Sequence, residues 1–549
     1  LLQNEWTPEK LNKQNESNDF HKPKNAEGAG NLLQTGVSNR FDLFVENAEK
    51  FFDKKKIDEH YTQSFLRGIQ VAIKNGKRTD DNDWQPIINL LKNLVDANLE
   101  DRKRKKGFYD GWLGNWQAVY YATTDVLQEL LSEKNEEVVI GDFEKYRSDL
   151  LHILEFLLKY KNDPKPEDEK TKSASSTTLK DDGSTIISDP YSIAINSVRG
   201  RAFQVFLMFI YQDGKRLEKK EIKINEDVED LYEEILKEEN TRAMMFMYGH
   251  HLPTFYFRDK KWTKKVLIPQ IFREKEDEYL KLASIEGYLT QTLYKEIFED
   301  VAFKKLYEEW ISLEDTKFPN QKHFKDIDEA LAVHMALAFI NFDIDIEKGL
   351  LKIFWTIVNS NNPTRHYEFI SFVGRDMISR DNADILAKVK KIKLGKIEKF
   401  WDWTLKNIDN QKTLSGFGHW INPKTEVLSD EIVIEKIAKT LKKSGGDIDW
   451  DYALIQRLPE FAKKDPKNTL SIIENYLLDK DEKPNQHRGE PIFHIDKEVK
   501  EALGIIYKEN DELKQEVKKL INLLIKEGSQ IFWGLKDVIE KDPNGVSNN

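Results

Sequence analysis

A chain of 549 residues, 39% hydrophobic and 33% charged, has apolar surface for on the order of two to four packed units, or for a repeat array that grows unit by unit; its composition is neither that of a disordered chain nor that of a membrane protein. Its net charge of -11 withholds the basic footprint expected of a nucleic-acid-binding protein. The absence of cysteine excludes disulfides, thiolate metal sites and a thiol nucleophile and fits a reducing, cytoplasmic setting, while no apolar run reaches the roughly 20 residues that span a bilayer.

Residues 1–40 read as a polar, irregular segment without the basic-then-apolar pattern of a secretion signal, and Leu1 in place of Met reads as the start of a fragment of something longer. Residues 41–160 read as a helical subdomain. Phe41, Phe44, Ala48, Phe51 and Phe52 share one helical face, Phe65, Ile69, Ala72 and Ile73 the next. Asp83 precedes a helix carrying Trp84, Ile87, Ile88, Leu91, Leu94 and Val95, and the apolar helix from Leu150 to Tyr160 closes the set. Between 161 and 188 the pattern gives way to Lys, Asp, Glu, Pro, Ser and Thr, too little to repay the entropy of ordering, so this stretch reads as a mobile linker or loop.

From 189 to 549 the sequence reads as a helical-repeat region. Asp189 is a good N-cap and Pro190 a good first helical residue. Ile195, Val198, Ala202, Val205, Phe206 and Phe209 then recur at helical spacing, which predicts one continuous helix. Asn196, Arg199 and Gly200 lie beside that stripe. Gly costs about 1 kcal/mol in a helix interior, so another element is expected close to Gly200. An Arg beside an apolar face needs a carboxylate or carbonyls to replace its lost hydration. Asn196, Arg199 and Gly200 are therefore expected to form a structural clamp, with both polar side chains at least partly buried.

Further on, Val228, Leu231 and Ile235 form an apolar stripe backed by a strongly acidic face, and Pro253 and Pro269 mark an irregular elbow. The C-terminal third alternates apolar helices, from Phe400–Leu405 through Ile432–Leu441, Tyr452–Phe461, Thr469–Leu478, Val499–Tyr507 and Val517–Ile525 to Ile531–Ile539, at a spacing of about 40 residues per pair. With only 26 Gly and 16 Pro, the whole reads as an all-α, irregular HEAT/TPR-like helical-repeat array, an α-solenoid.

Chemistry-bearing patterns are sparse. Gly76-Lys77-Arg78-Thr79 lacks the upstream Gly of a phosphate loop, and Gly416-Phe417-Gly418 is a lone G-x-G without a strand before it. His250 and His251 are adjacent and point apart on regular structure. Asp447, Asp449 and Asp451 alternate like a calcium loop but lack its Gly and Glu; Asp447 or Asp449 reads better as a helix N-cap. The basic run Arg102, Lys103, Arg104, Lys105 and Lys106, followed by Phe108, Tyr109, Trp112 and Trp116, is the best place for phosphate contact with base stacking. The helical spacing of Trp112 and Trp116 also marks core. No catalytic, cofactor-binding or metal-binding residue is assigned.

The run from Asp189 to Phe203, with Ile285-Glu286-Gly287-Tyr288-Leu289, Phe372-Val373-Gly374-Arg375 and Ser444-Gly445-Gly446-Asp447-Ile448-Asp449, resembles the C-terminal helical-repeat region of large bacterial STAND-type antiphage NTPases, the AVAST-like group. These motifs are short and structural, so no catalytic residue carries over. The resemblance implies a sensor or scaffold region without catalysis of its own, with ATPase and effector modules further upstream that would carry any homo-oligomerisation. A protein partner, such as a phage-derived target, is then expected, and no cofactor or membrane. The competing reading is a nucleic-acid-binding helical module centred on residues 102–116.

Overall fold

The structure, a computed structural model, describes residues 1–15, 24–53, 56–79, 83–99, 111–134, 137–170, 177–179, 185–215, 223–273, 278–318, 321–356, 363–379, 395–423, 427–478, 496–527 and 530–536. They form an all-α helical-repeat array. Strand structure among them is confined to two short antiparallel hairpins, Glu133–Lys134 with Glu137–Val138 and Thr177–Leu179 with Thr185–Ile187, and two isolated bridges. The chain divides into two compact units, one of Leu1–Gln291 with Lys317–Lys325 and one of Thr292–Thr316 with Asp326–Asn549.

In the first unit, helices pack beside the next but one. Ala26–Asn39 lies on Glu59–Lys74, which lies on Trp116–Leu131, which in turn meets Val198–Lys215. A second row runs from Gln85–Asp96 through Phe143–Leu158 to the same Val198–Lys215. Local chemistry starts these helices: Asp58, Asn115, Asp142 and Asp189 each accept a backbone N–H in the first turn that follows, caps worth about 1 kcal/mol apiece. Tyr61, Phe65, Leu66, Ile69, Ala72 and Ile73 are fully buried on Glu59–Lys74, as their three- and four-residue spacing requires.

The structure corrects three expectations here. Residues 1–40 contain the helices Pro8–Asn15 and Ala26–Asn39; the second buries Ala26, Ala29, Gly30 and Val37, residues too small to leave a strong apolar stripe. The helix expected from Asp189 onward is two helices, Pro190–Ile195 and Val198–Lys215. Ser197 makes the break, because its hydroxyl donates to Ala194 O at 2.8 Å and accepts Gly200 N at 3.1 Å, the behaviour of a cap. The polar stretch 161–188 carries a short helix, Pro166–Lys170, and the second hairpin, while 171–176 and 180–184 lie outside the described residues.

Arg242–His250 and Glu278–Leu289 cross so closely that a Cβ on Gly249 would lie 2.0 Å from Ser284 O, and one on Gly287 2.1 Å from Phe246 O. Backbone cannot yield as a side-chain tip can. Gly287→Ala is accordingly expected to destabilise the first unit by at least ~1–3 kcal/mol, read as a lower urea midpoint; an unchanged midpoint would show that the helices can separate at no cost.

In the second unit, Ile327–Asn341 packs on Thr364–Phe372, Lys396–Asn407 on Asp430–Ser444, that helix on Pro466–Leu477, and Asp451–Lys464 on Asp496–Glu509. Ser429 caps Asp430–Ser444 and Asp465 caps Pro466–Leu477. Gly445, at φ 68°, closes the former in the left-handed region that glycine adopts without strain. The last expected helix, from Ile531, is a 3₁₀ segment, Gln530–Leu535, and 537–549 lie outside the described residues.

Candidate functional site

Arg199 is the second residue of Val198–Lys215 and is only 5% exposed. Asp163 holds the start of that helix, accepting Val198 N on its carboxylate at 2.7 Å and Arg199 N on its carbonyl at 3.2 Å. The Arg199 guanidinium donates through Nε to Leu158 O at 3.2 Å, at the end of Phe143–Leu158, and through Nη2 to the Glu239 carboxylate. Glu239 is fully buried as a side chain. Its other oxygen accepts Asn240 N at 3.0 Å, Thr241 N at 2.9 Å and the Thr241 hydroxyl at 2.7 Å. One charged pair thus joins the end of one helix, the start of a second and the approach to a third, Arg242–His250.

A second buried carboxylate sits at that third helix. Glu169, 2% exposed, accepts Arg242 N at 2.5 Å and Ala243 N at 2.8 Å, an anion on a helix N-terminus. Burial nevertheless dominates and pushes its carboxyl up to about 7, against the two N–H donors and the Arg242 charge. The Arg242 guanidinium lies 3.7 Å from the centre of the Phe318 ring, a cation–π contact in a desolvated place.

Beside Arg199 is a cavity of about 480 Å³. Leu158, Pro166 and Ile235 supply apolar wall, and Lys159, Lys161, Glu234 and Glu238 charge. Lys159 bonds Glu234 at 2.8 Å and Glu155 at 2.9 Å, and Lys161 bonds Glu238 at 2.5 Å. Arg199 contributes a third guanidinium nitrogen, Nη1, that is bonded to no described residue.

Of the three residues expected to form a clamp, the structure places Arg199 and Gly200 in the interior. A Cβ on Gly200 would lie 2.0 Å from Ala194 O, so the preceding helix is the element that comes close. Asn196 is corrected: it is exposed, at the end of Pro190–Ile195, and its amide donates to Ser192 O at 2.8 Å within its own helix, because the break at Ser197 turns it outward.

Arg102, Lys103, Arg104, Lys105 and Lys106 lie outside the described residues, as do Phe108 and Tyr109. Trp116 is core, 1% exposed, whereas Trp112 is 44% exposed with the Arg67 guanidinium 5.3 Å from its ring. His250 and His251 are pushed down to about 4 and about 3, both chiefly by burial, and so stay neutral. Gly418 packs without room for a Cβ against Asp449 O, so the G-x-G serves close packing. The residue preceding Asp451–Lys464 is Trp450, with no side-chain cap bond, which corrects the expectation that Asp447 or Asp449 caps it. Asp449 pairs instead with Lys412 at 3.1 Å, and Asp451 accepts the Tyr476 hydroxyl at 2.8 Å. Among the described residues no group of three or more His, Asp or Glu could hold a metal, and no helix is long and apolar enough to cross a membrane.

Sequence reasoning missed the acidic halves of these clamps and their recurrence. In the second unit Arg365 donates to Ile311 O at 2.6 Å, Leu313 O at 2.7 Å and Asp328 at 2.7 Å, and Arg457 donates to Ile421 O at 2.6 Å and meets Asp430 at 3.0 Å. Each time an arginine ties carbonyls at the end of one helix to a carboxylate at the start of another. The available signal was an acidic residue just before or inside a helix start, as in Glu239-Asn240-Thr241.

The chain matches no family model, no curated protein and no solved structure.

Proposed function

We propose that this chain is a non-catalytic recognition and scaffold region, the target-sensing part of a cytoplasmic bacterial antiphage NTPase of the STAND type, with a phage-derived protein as its target. The sequence resemblance and the helical-repeat fold support this reading, and its buried charges are engaged in tying helices together. The observation that carries it is the turn around Trp450. Trp450 sits at φ 58° and is 58% exposed, and Tyr452 is 66% exposed. A non-glycine residue in the left-handed region costs about 1–3 kcal/mol, and an indole more than half exposed, with the His419 ring 5.5 Å away between centroids, recovers little of that by burial. Two exposed aromatic side chains two residues apart suit anchoring in a protein partner.

The test is association of the chain with individually purified phage proteins. Trp450→Gly relieves the backbone strain, so its melting temperature is expected to be equal or higher, while binding of the target falls at least about tenfold, as for an anchor residue. Tyr452→Ala is expected to weaken binding in the same direction. A Trp450→Gly protein that melts lower would make Trp450 structural. Salt-sensitive mobility shifts with DNA or RNA, in the absence of any protein partner, would favour the module at 102–116 instead.

A further inference from the structure

The segment Lys317–Lys325, of which 319–320 lie outside the described residues, packs within the first unit although the chain on both sides of it belongs to the second. Its hold is mostly polar. Lys322 N donates to Ile187 O at 3.0 Å, beside a parallel bridge between Ile187 and Gln321, and the Gln321 amide donates to Glu169 O. Phe324 N and Lys325 N donate at 2.5 and 3.0 Å to Oε1 of Glu286, which is fully buried. His323 accepts Phe318 N on Nε2 at 3.2 Å, which leaves its ring proton on Nδ1, 3.3 Å from Glu286 Oε2. Apolar burial adds little. Phe318, against the Arg242 guanidinium and the His323 ring, is the one buried residue of the segment among those described, and Phe324 is 46% exposed. A segment with so little buried apolar surface is of the kind that opens before its domain unfolds.

This strap lies over Glu169. Gln321 bonds the Glu169 carbonyl, and Arg242, whose guanidinium lies 3.7 Å from the centre of the Phe318 ring and 3.5 Å from Lys322 O, gives its own N–H to the Glu169 carboxylate. We propose that Lys317–Lys325 is a latch that opens ahead of the rest of the first unit, and that its closure is coupled to a proton on Glu169. Lifting the strap admits water to a carboxylate that is 2% exposed; hydration favours the ionised form, so the closed state holds the proton more tightly than the open one. The rise of this carboxyl to about 7 supports the coupling. The charged groups facing Glu169 are the Arg242 guanidinium and the Glu239 carboxylate, the latter paired with Arg199. The strap's own titratable group, His323, meets Glu286 instead. The latch does not depend on the Trp450 turn, so either can fail without the other.

Amide hydrogen exchange on the whole chain from about pH 5 to about pH 7 tests this, with protection factors corrected for the intrinsic pH dependence of exchange. The amides of Lys322, Phe324 and Lys325 are expected to be less protected than those of Phe65 and Ile69 in the core of the same unit, and to lose protection about thirtyfold over that range. In Glu169→Gln the loss is expected to shrink below about threefold, since the linked proton is gone; a loss that persists there would assign the titration to His323 and overturn the coupling. Gln321→Ala, at a half-buried position, is expected to lower the protection of the strap amides about two- to tenfold at the acid end and to leave Phe65 and Ile69 unchanged. Should Glu169→Gln fail to fold, the wild-type series decides: protection of the strap that stays flat with pH, or strap amides that exchange in step with Phe65 and Ile69, would sink the proposal.

Discussion

Replacing Arg199 with alanine is expected to destabilise the first unit by about 3–5 kcal/mol, the cost of breaking a buried ion pair from one side. The size follows from what is left behind. Glu239 would remain as a fully buried carboxylate, and Leu158 O would lose its donor. Removing both charges should hurt less than removing one, because no orphaned ion then remains; Arg199→Met with Glu239→Gln, which keeps an acceptor for Asn240 N and Thr241 N, is expected to recover part of the loss. Urea unfolding of the single and double variants measures the coupling. A single variant within about 0.5 kcal/mol of wild type, the range of an ordinary surface substitution, would show that the pair holds nothing together.

Glu169 is expected to make the same unit less stable as the pH is raised from about 4.5 to about 7. Its carboxyl titrates near 7 when buried and near 4.5 in the unfolded chain. The native state therefore binds the proton more tightly, so the stabilising contribution is complete below 4.5 and is lost as pH climbs through 7. A shift of that size corresponds to about 3 kcal/mol across the window. The groups facing Glu169 are the Arg242 guanidinium, the Glu239 carboxylate and the amides of Arg242 and Ala243. Glu169→Gln removes the titration and also takes the acceptor from one of the two amides, a cost that does not vary with pH, so the difference in melting temperature between wild type and variant should change steadily over pH 4.5 to 7. A difference that stays flat would mean that Glu169 is as easily ionised in the fold as in water.

The two expectations differ in how far they were legible in the residues. Arg199 stood out because a charge beside Val198, Ala202 and Phe206 has to be paired, and that much is physical necessity. Which carboxylate pairs with it was not legible: Glu239 lies 40 residues further on, directly after the acidic helix Glu226–Glu238, and its place just before a helix start is shared by other carboxylates such as Asp259 and Asp300. Glu169 was hidden for a related reason. In a stretch without an apolar stripe one carboxylate among Glu167, Asp168 and Glu169 leaves no pattern, yet two backbone N–H groups 73 and 74 residues away hold it in place. Asn196 shows the opposite error, where a helical spacing was carried across a break that one serine makes.

What the sequence determined by itself is the class of fold and the position of most helices. Apolar stripes at helical spacing and a cap such as Asp189 with Pro190 act within a few residues, so they can be read from a few residues. The tertiary structure alone decided which charges meet, where the cavity beside Arg199 opens, and that Trp450 is held outward at a strained φ. Ion pairs have no period, and in a chain one third charged every cation has many carboxylates within reach of the imagination; only packing of distant helices, which removes water from some of them and not others, selects the partners.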